Sequence, residues 1–221
     1  EEMLLGLGAG VGFVYWHMRG TLPFLGGRAN TGRPGEEGME KTAGRRTGVA
    51  VELLHTGSAA KAEKELLGQL DAGQPVMLML DMGYLPYFDF GGSEFHFGGH
   101  AVVACGFDPE VRQVLIADRD EPLHPVSLEA LARARGSTCQ PFPPQHGWYT
   151  FDFSQKRPPE PADTWQAIAE VAHGMLQPPI TNLGIMGIHK AAKRIPAWPD
   201  GMGEKMLREA CFNVYIMIDA Q

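Results

Sequence analysis

The stretch Gly98–Asp120, GGHAVVACGFDPEVRQVLIADRD, concentrates the residues that could do chemistry. His100 follows two glycines and opens one apolar run, and Asp118 closes a second. The runs at 101–107 and 114–118 read as strands, and the turn over Asp108–Gln113 folds them into a hairpin. Both polar residues then stand at the same end of one antiparallel pair. An imidazole at a strand edge beside a carboxylate suits general-base catalysis. The carboxylate fixes the ring tautomer and steadies the imidazolium that forms on proton uptake. An ordinary hairpin with an exposed His and a turn Asp would show the same spacing, so both readings stand.

Upstream, six of the fourteen residues from Tyr84 to Phe97 are aromatic, and glycines at 83, 91, 92, 98 and 99 let the backbone turn tightly. Tyr84, Tyr87, Asp89 and His96 are candidates for a substrate wall beside His100; a loop that only packs its own aromatics is the alternative. Asp81 and Asp89 could meet a cationic acceptor or simply cap their loops. The pair His96-x-x-x-His100 would bind metal on a helix, but Gly98 and Gly99 intervene. No metal set and no cofactor is expected.

The three cysteines fit neither a disulfide framework nor a metal knuckle, and an odd, widely spaced set suits a reducing cytoplasm. Strict alternation turns Cys105 to the face opposite His100, where it reads as a small core residue. Cys139 lies in the loop STCQPFPP. Cys211 falls on the apolar stripe of the last helix and is expected to be buried.

Positioning these groups requires a framework. Residues 2–18 read as a buried, Gly-rich, helix-like segment. Its glycines at 6, 8, 10 and 12 do not make G-x-G-x-x-G, so close backbone packing is the expected use. Residues 26–48 read as a basic, Gly-rich loop. A strand at 49–54 precedes a helix over 61–72 stopped by Gly73, and a buried strand covers 75–81. Ser127 caps a helix ending at Gly136, and the last strand covers 148–153. The prolines of KRPPEP at 156–161 mark a boundary, beyond which everything reads helical. There Trp165, Ile168, Ala172, Met175 and Leu176 share one face, and helices over 182–195 and 203–221 follow.

Composition bounds the partners. Lys and Arg number 19 against 26 Asp and Glu, a net charge of −7, which argues against nucleic-acid binding. The longest uncharged run, 3–16, falls short of the ~20 apolar residues of a membrane span. Apolar residues at 44% and charged residues at 20% are ordinary globular usage. The 28 glycines and 17 prolines, about a fifth of the chain, imply many loops.

His100 with AVVACGF, then a turn and VLIAD, resembles the His-strand-hairpin-Asn/Asp segment of papain-like cysteine hydrolases. Several segments together resemble the butirosin biosynthesis protein H family: EEMLLGLGAGVGFVYW, PVMLMLDMGYLPY, FGGHAVVACGFD, VLIADRD, PVSLEALARAR, WYTFDF and LGIMGIHKAAKRIPAWP. The resemblance implies an α+β, papain-like fold with an antiparallel sheet over residues 1–155 and a helical C-terminal domain over 156–221. It implies a cysteine-dependent acyltransferase of secondary metabolism, with His100 as base and Asp118 as its orienter. The donor would be an acyl carrier protein or other thioester and the acceptor a small amine. A papain-like peptidase or amide hydrolase, and a non-catalytic binding module, are the alternatives. None of the three cysteines matches the family's nucleophile, which the resemblance places before Glu1. An acidic carrier protein would dock on a basic patch, from Arg28, Arg33, Arg45 and Arg46 or from Lys190, Lys193 and Arg194.

Overall fold

Alternating and continuous apolar runs between turn residues become a six-stranded sheet. Its strands, in chain order, are β3 (Ala50–Leu54), β4 (Val76–Leu80), β5 (His100–Asp108), β6 (Gln113–Ala117), β7 (His124–Ser127) and β8 (Trp148–Asp152). Two earlier strands, β1 (Val14–Trp16) and β2 (Phe24–Gly26), form a separate antiparallel pair. The computed structural model describes residues 3–18, 21–27, 38–91, 95–140 and 142–219, with side chains described as far as 215. Spatial order in the large sheet is β3-β8-β4-β5-β6-β7, and the pairs β4–β5, β4–β8, β5–β6 and β6–β7 are antiparallel. The architecture is mixed α/β with antiparallel sheets and seven α-helices among the described residues. Two compact units result, one of residues 51–151 and one of 1–50 with 152–221. The first fifty residues group with the C-terminal helices.

In the sheet unit, α2 (Ala59–Asp71) and α3 (Leu128–Arg135) cover one face. α3 starts where the sequence expects, and α2 starts two residues before the expected Lys61. Ser58 and Ser127 accept backbone N–H bonds from Lys61 and Ala130, and Gly73 adopts φ +70° just past the end of α2. Leu66, Leu78, Leu80, Val102, Ala104, Val114, Ile116, Val126 and Leu131 make the core between them. Each fully buried side chain of this size contributes about 1.5–3 kcal/mol relative to exposure. The other face keeps Ala101 and Cys105 exposed. Cys105 is thus no core residue: alternation turns it away from the buried face, as expected, but that side is open to solvent here.

In the second unit, only Met3–Leu7 of the segment expected to be helix-like is helical, as one π-type turn, and the chain then enters β1. Among residues 3–16 only Gly8–Gly10 and Tyr15 are buried. Close backbone packing is what the glycines serve: a Cβ on Gly8 would lie 2.3 Å from the Leu4 carbonyl oxygen and 2.4 Å from that of Met39. The expected basic loop contains α1 (Met39–Thr47). Arg46 on that helix is fully buried, donates from Nη1 to the Leu7 carbonyl at 2.5 Å and pairs with Glu170, so it supplies no surface charge. Arg28 and Arg33 lie outside the described residues.

Tyr15 anchors the smaller core with Ala191, Trp198 and Ala210, which belong to α5 (Gly184–Arg194), α6 (Trp198–Gly201) and α7 (Glu204–Asp219). The apolar face that Trp165, Ile168 and Leu176 share on α4 (Pro161–Leu176) is largely exposed, Trp165 at 71% and Leu176 at 65%; Ala167 is the buried residue. Cys211 is exposed as well, because α7 turns Ala210, Leu207 and Val214 toward Tyr15. No helix among the described residues is long and apolar enough to cross a membrane.

Candidate functional site

His100 opens β5 directly after a turn at Gly98–Gly99. Only glycine fits at 98, since a Cβ there would meet the Phe142 carbonyl oxygen at 2.0 Å. From Asp108↔Gln113 to Gly106↔Leu115 the β5–β6 register is regular; it then slips by one residue, so that Ala104 faces Ile116 and Val103 faces Ala117. Cys105 is the extra residue of a β-bulge. Continued past Ala117, the slipped register sets Asp118 opposite Val102, on the same sheet face as His100. Without the slip Asp118 would stand opposite Val103 and face the other way.

The two side chains meet. His100 Nε2 donates to Asp118 Oδ2 at 2.8 Å, with the side chains 12% and 3% exposed. Tyr87 Oη donates to the same oxygen at 2.8 Å, and the Arg119 N–H donates to Oδ1 at 2.8 Å. Burial pushes the Asp118 carboxyl upward, but the hydrogen bond and charge of His100, with the Tyr87 and Arg119 donors, outweigh it. The net result lies below the usual carboxylate value. Burial and the Asp118 carboxylate together raise the Tyr87 phenol well above its ordinary value, so it remains a donor. With Nε2 held by Asp118, Nδ1 is the ring nitrogen left to exchange a proton with a reacting group.

Aromatic rings pack around this pair. Phe88 presents an edge-on contact to the His100 ring at 5.7 Å and carries the Arg119 guanidinium 5.6 Å above its own ring. The Tyr87 ring stacks on His124 at 4.0 Å, and His124 Nε2 donates to Asp120 at 2.6 Å. His124 and Asp120 carry no sequence signal, because their role depends on β7 running back beside β6.

The other candidates of the aromatic loop fall elsewhere. Asp89 accepts the Gly91 N–H within its own turn. Tyr84 packs against His96 at 5.0 Å, with Arg133 over its ring. His96 Nδ1 donates to the buried Asp81 at 3.0 Å. Asp81 also accepts from Gly83 N, Phe97 N and Ser137 Oγ, so it organises its own loop. Cys139, from the loop STCQPFPP, stands with this group: Asp81, His96 and Cys139 each offer a ligand atom within 4.8 Å of the others.

The family model described as butirosin biosynthesis protein H, N-terminal, matches residues 1–119, more than half the chain and the whole segment from Glu1 through Asp118. The chain belongs to that family. A second family model, a domain of unknown function (DUF4872), matches residues 129–221. The family's N-terminal region thus includes both His100 and Asp118, while Cys139 falls in the region without an assigned function. No curated protein matches the chain.

Proposed function

We propose that the family membership and the His100–Asp118 pair mark a cysteine-dependent acyltransferase of secondary metabolism, built on a papain-like fold. The observation that carries this reading is the Nε2–Oδ2 bond of 2.8 Å, which leaves His100 Nδ1 as the proton-exchanging atom. A thiol beside Nδ1 gives up its proton to the ring, and Asp118 steadies the imidazolium so formed. The thiolate attacks the carbonyl carbon of a carrier-bound thioester. The carrier thiol leaves with the proton from Nδ1, and the acyl group remains as a thioester on the enzyme. An amine acceptor then attacks that carbonyl, its proton passes to Nδ1, and the amide product departs as the enzyme thiolate is released.

Cys105 lies on the far face of the sheet and Cys139 stands with Asp81. The nucleophile in this reading precedes Glu1, as the family resemblance implies. Arg46 is buried, so Lys193 and Arg194, exposed in the last turn of α5, are the better basic candidates for an acidic carrier.

The test is intact-protein mass spectrometry of the full-length protein incubated with an aminoacyl pantetheine thioester. The expected result is an acyl adduct on a cysteine other than 105, 139 and 211, discharged faster by an amine than by water. His100→Ala forms no adduct. Undiminished adduct formation by His100→Ala would remove the proposed base, and cleavage of peptide amides without transfer would make the protein a peptidase.

A further inference from the structure

Asp81, His96 and Cys139 come from three separate loops of the sheet unit: the end of β4, the stretch before β5 and the loop after α3. Asp81 has no exposed surface, and the His96 side chain is 30% exposed, so the cluster is buried on one side and reachable on the other. The supports are preorganised. Gly83 N and Phe97 N, both at 3.0 Å, hold Asp81 Oδ1, and Ser137 Oγ holds Oδ2 at 2.5 Å. The Ser137 oxygen in turn accepts the Cys139 N–H at 3.2 Å, which ties the thiol-bearing loop to the carboxylate. His96 sits directly on Gly83: a Cβ there would stand 2.6 Å from Nδ1 and 2.9 Å from Cε1.

Two chemistries use one Cys, one His and one Asp. In a nucleophilic relay the imidazole lies between the other two groups, which keeps sulfur and carboxylate well apart. Here sulfur, nitrogen and oxygen all lie within 4.8 Å of one another. They converge, as ligands do around an ion. In a tetrahedral zinc site, bonds of about 2.0–2.1 Å put nitrogen and oxygen roughly 3.3 Å apart. His96 Nδ1 and Asp81 Oδ2 already stand 3.0 Å apart, so an ion can take the place of the proton between them. The thiolate need move inward by only about 1 Å to reach a Zn–S bond of about 2.3 Å.

We propose that Asp81, His96 and Cys139 form a binding site for a divalent cation of the zinc class, with solvent in the fourth position. Thiolate with imidazole selects zinc and its neighbours over magnesium or calcium, which prefer all-oxygen sites. Ser137, Gly83 N and Phe97 N supply the outer hydrogen bonds that orient the carboxylate. The proposal does not depend on the acyl-transfer reading.

The full chain is titrated with Zn²⁺ against a chromophoric chelator, and with Co²⁺ while following the thiolate-to-metal charge-transfer band. One equivalent per chain is expected. Cys139→Ser removes the Co²⁺ band, and His96→Gln weakens Zn²⁺ binding by about 100-fold or more. Cys105→Ser and Cys211→Ser change neither. In the unsubstituted protein, Zn²⁺ slows alkylation of Cys139 at least about tenfold while Cys105 and Cys211 react unchanged. This last measurement holds even if a variant fails to fold. Failure to take up one equivalent, a Co²⁺ band that survives Cys139→Ser, or unprotected Cys139 overturns the proposal.

Discussion

His100 Nε2 lies 2.8 Å from Asp118 Oδ2, although a β-bulge and 18 positions of sequence separate the two residues. The bulge brings them to one face, and the nearly complete burial of Asp118 keeps water from competing for its oxygen. Its carboxylate is satisfied by three donors from three places in the chain. If the pair acts as base and orienter, Asp118→Asn lowers kcat for thioester turnover by roughly 10²–10⁴-fold, because the amide cannot stabilise the imidazolium. Single-turnover acylation measures this, and a rate within a few-fold of the unsubstituted protein would deny Asp118 the role.

Tyr87 shares Oδ2 with His100 but does not touch the ring nitrogen that exchanges the proton. Tyr87→Phe keeps the stack on His124 and loses one hydrogen bond, a cost of about 1 kcal/mol. Acyl transfer should fall by roughly tenfold or less. In a double-mutant cycle, Tyr87→Phe should add almost nothing once Asp118 is Asn, since both act through one carboxylate.

Cys105 tests the assigned register. Cys105→Ser alters an exposed side chain and should change stability by no more than about 0.5 kcal/mol. Deleting residue 105 removes the extra residue, restores a regular ladder and leaves Asp118 opposite Val102, on the face of His100. Acylation is then retained by the deletion protein as by Cys105→Ser. Loss of acylation by a folded deletion protein would contradict the assigned register.

Acid sensitivity follows from the depressed Asp118 carboxyl. The unfolded chain takes up this proton near pH 3.9, before the folded chain does. The stability contribution is therefore fully present above about pH 3.9 and is lost as pH falls through the lower folded value. Denaturant midpoints measured from pH 6 down to 2 should decline less steeply for Asp118→Asn. Parallel curves would mean that Asp118 gains nothing on folding.

Gly48 terminates α1 at φ +68°, and a Cβ there would stand 2.1 Å from the Gln155 carbonyl oxygen. Gly48→Ala therefore combines a left-handed backbone with a steric overlap, and should cost about 1–3 kcal/mol. Thermal unfolding measures it. Gly57→Ala, at a position with open space around it, serves as the control.

Much of the sheet unit was legible in the residue order. Continuous apolar runs bounded by turn residues marked β4, β5 and β6, and Gly73 and Ser127 marked helix ends, because these signals act over a few residues. The second unit was less so. The glycines of residues 3–18 pointed to close packing but not to the short turn and strand that achieve it. The shared apolar face of α4 could be read, but not its exposure, since periodicity reports which residues share a face and not what that face meets.

The sequence by itself determined that a His and an Asp close the same end of one hairpin, and family resemblance supplied the chemistry expected of them. Only the tertiary structure decided that they share a face. Side chains in a strand alternate with period two, so one bulged residue inverts the phase of everything beyond it, and no residue type announces the slip. The convergence of Asp81, His96 and Cys139 was likewise invisible. Their separation along the chain is bridged by loops whose paths depend on long-range contacts such as Ser137 with Asp81.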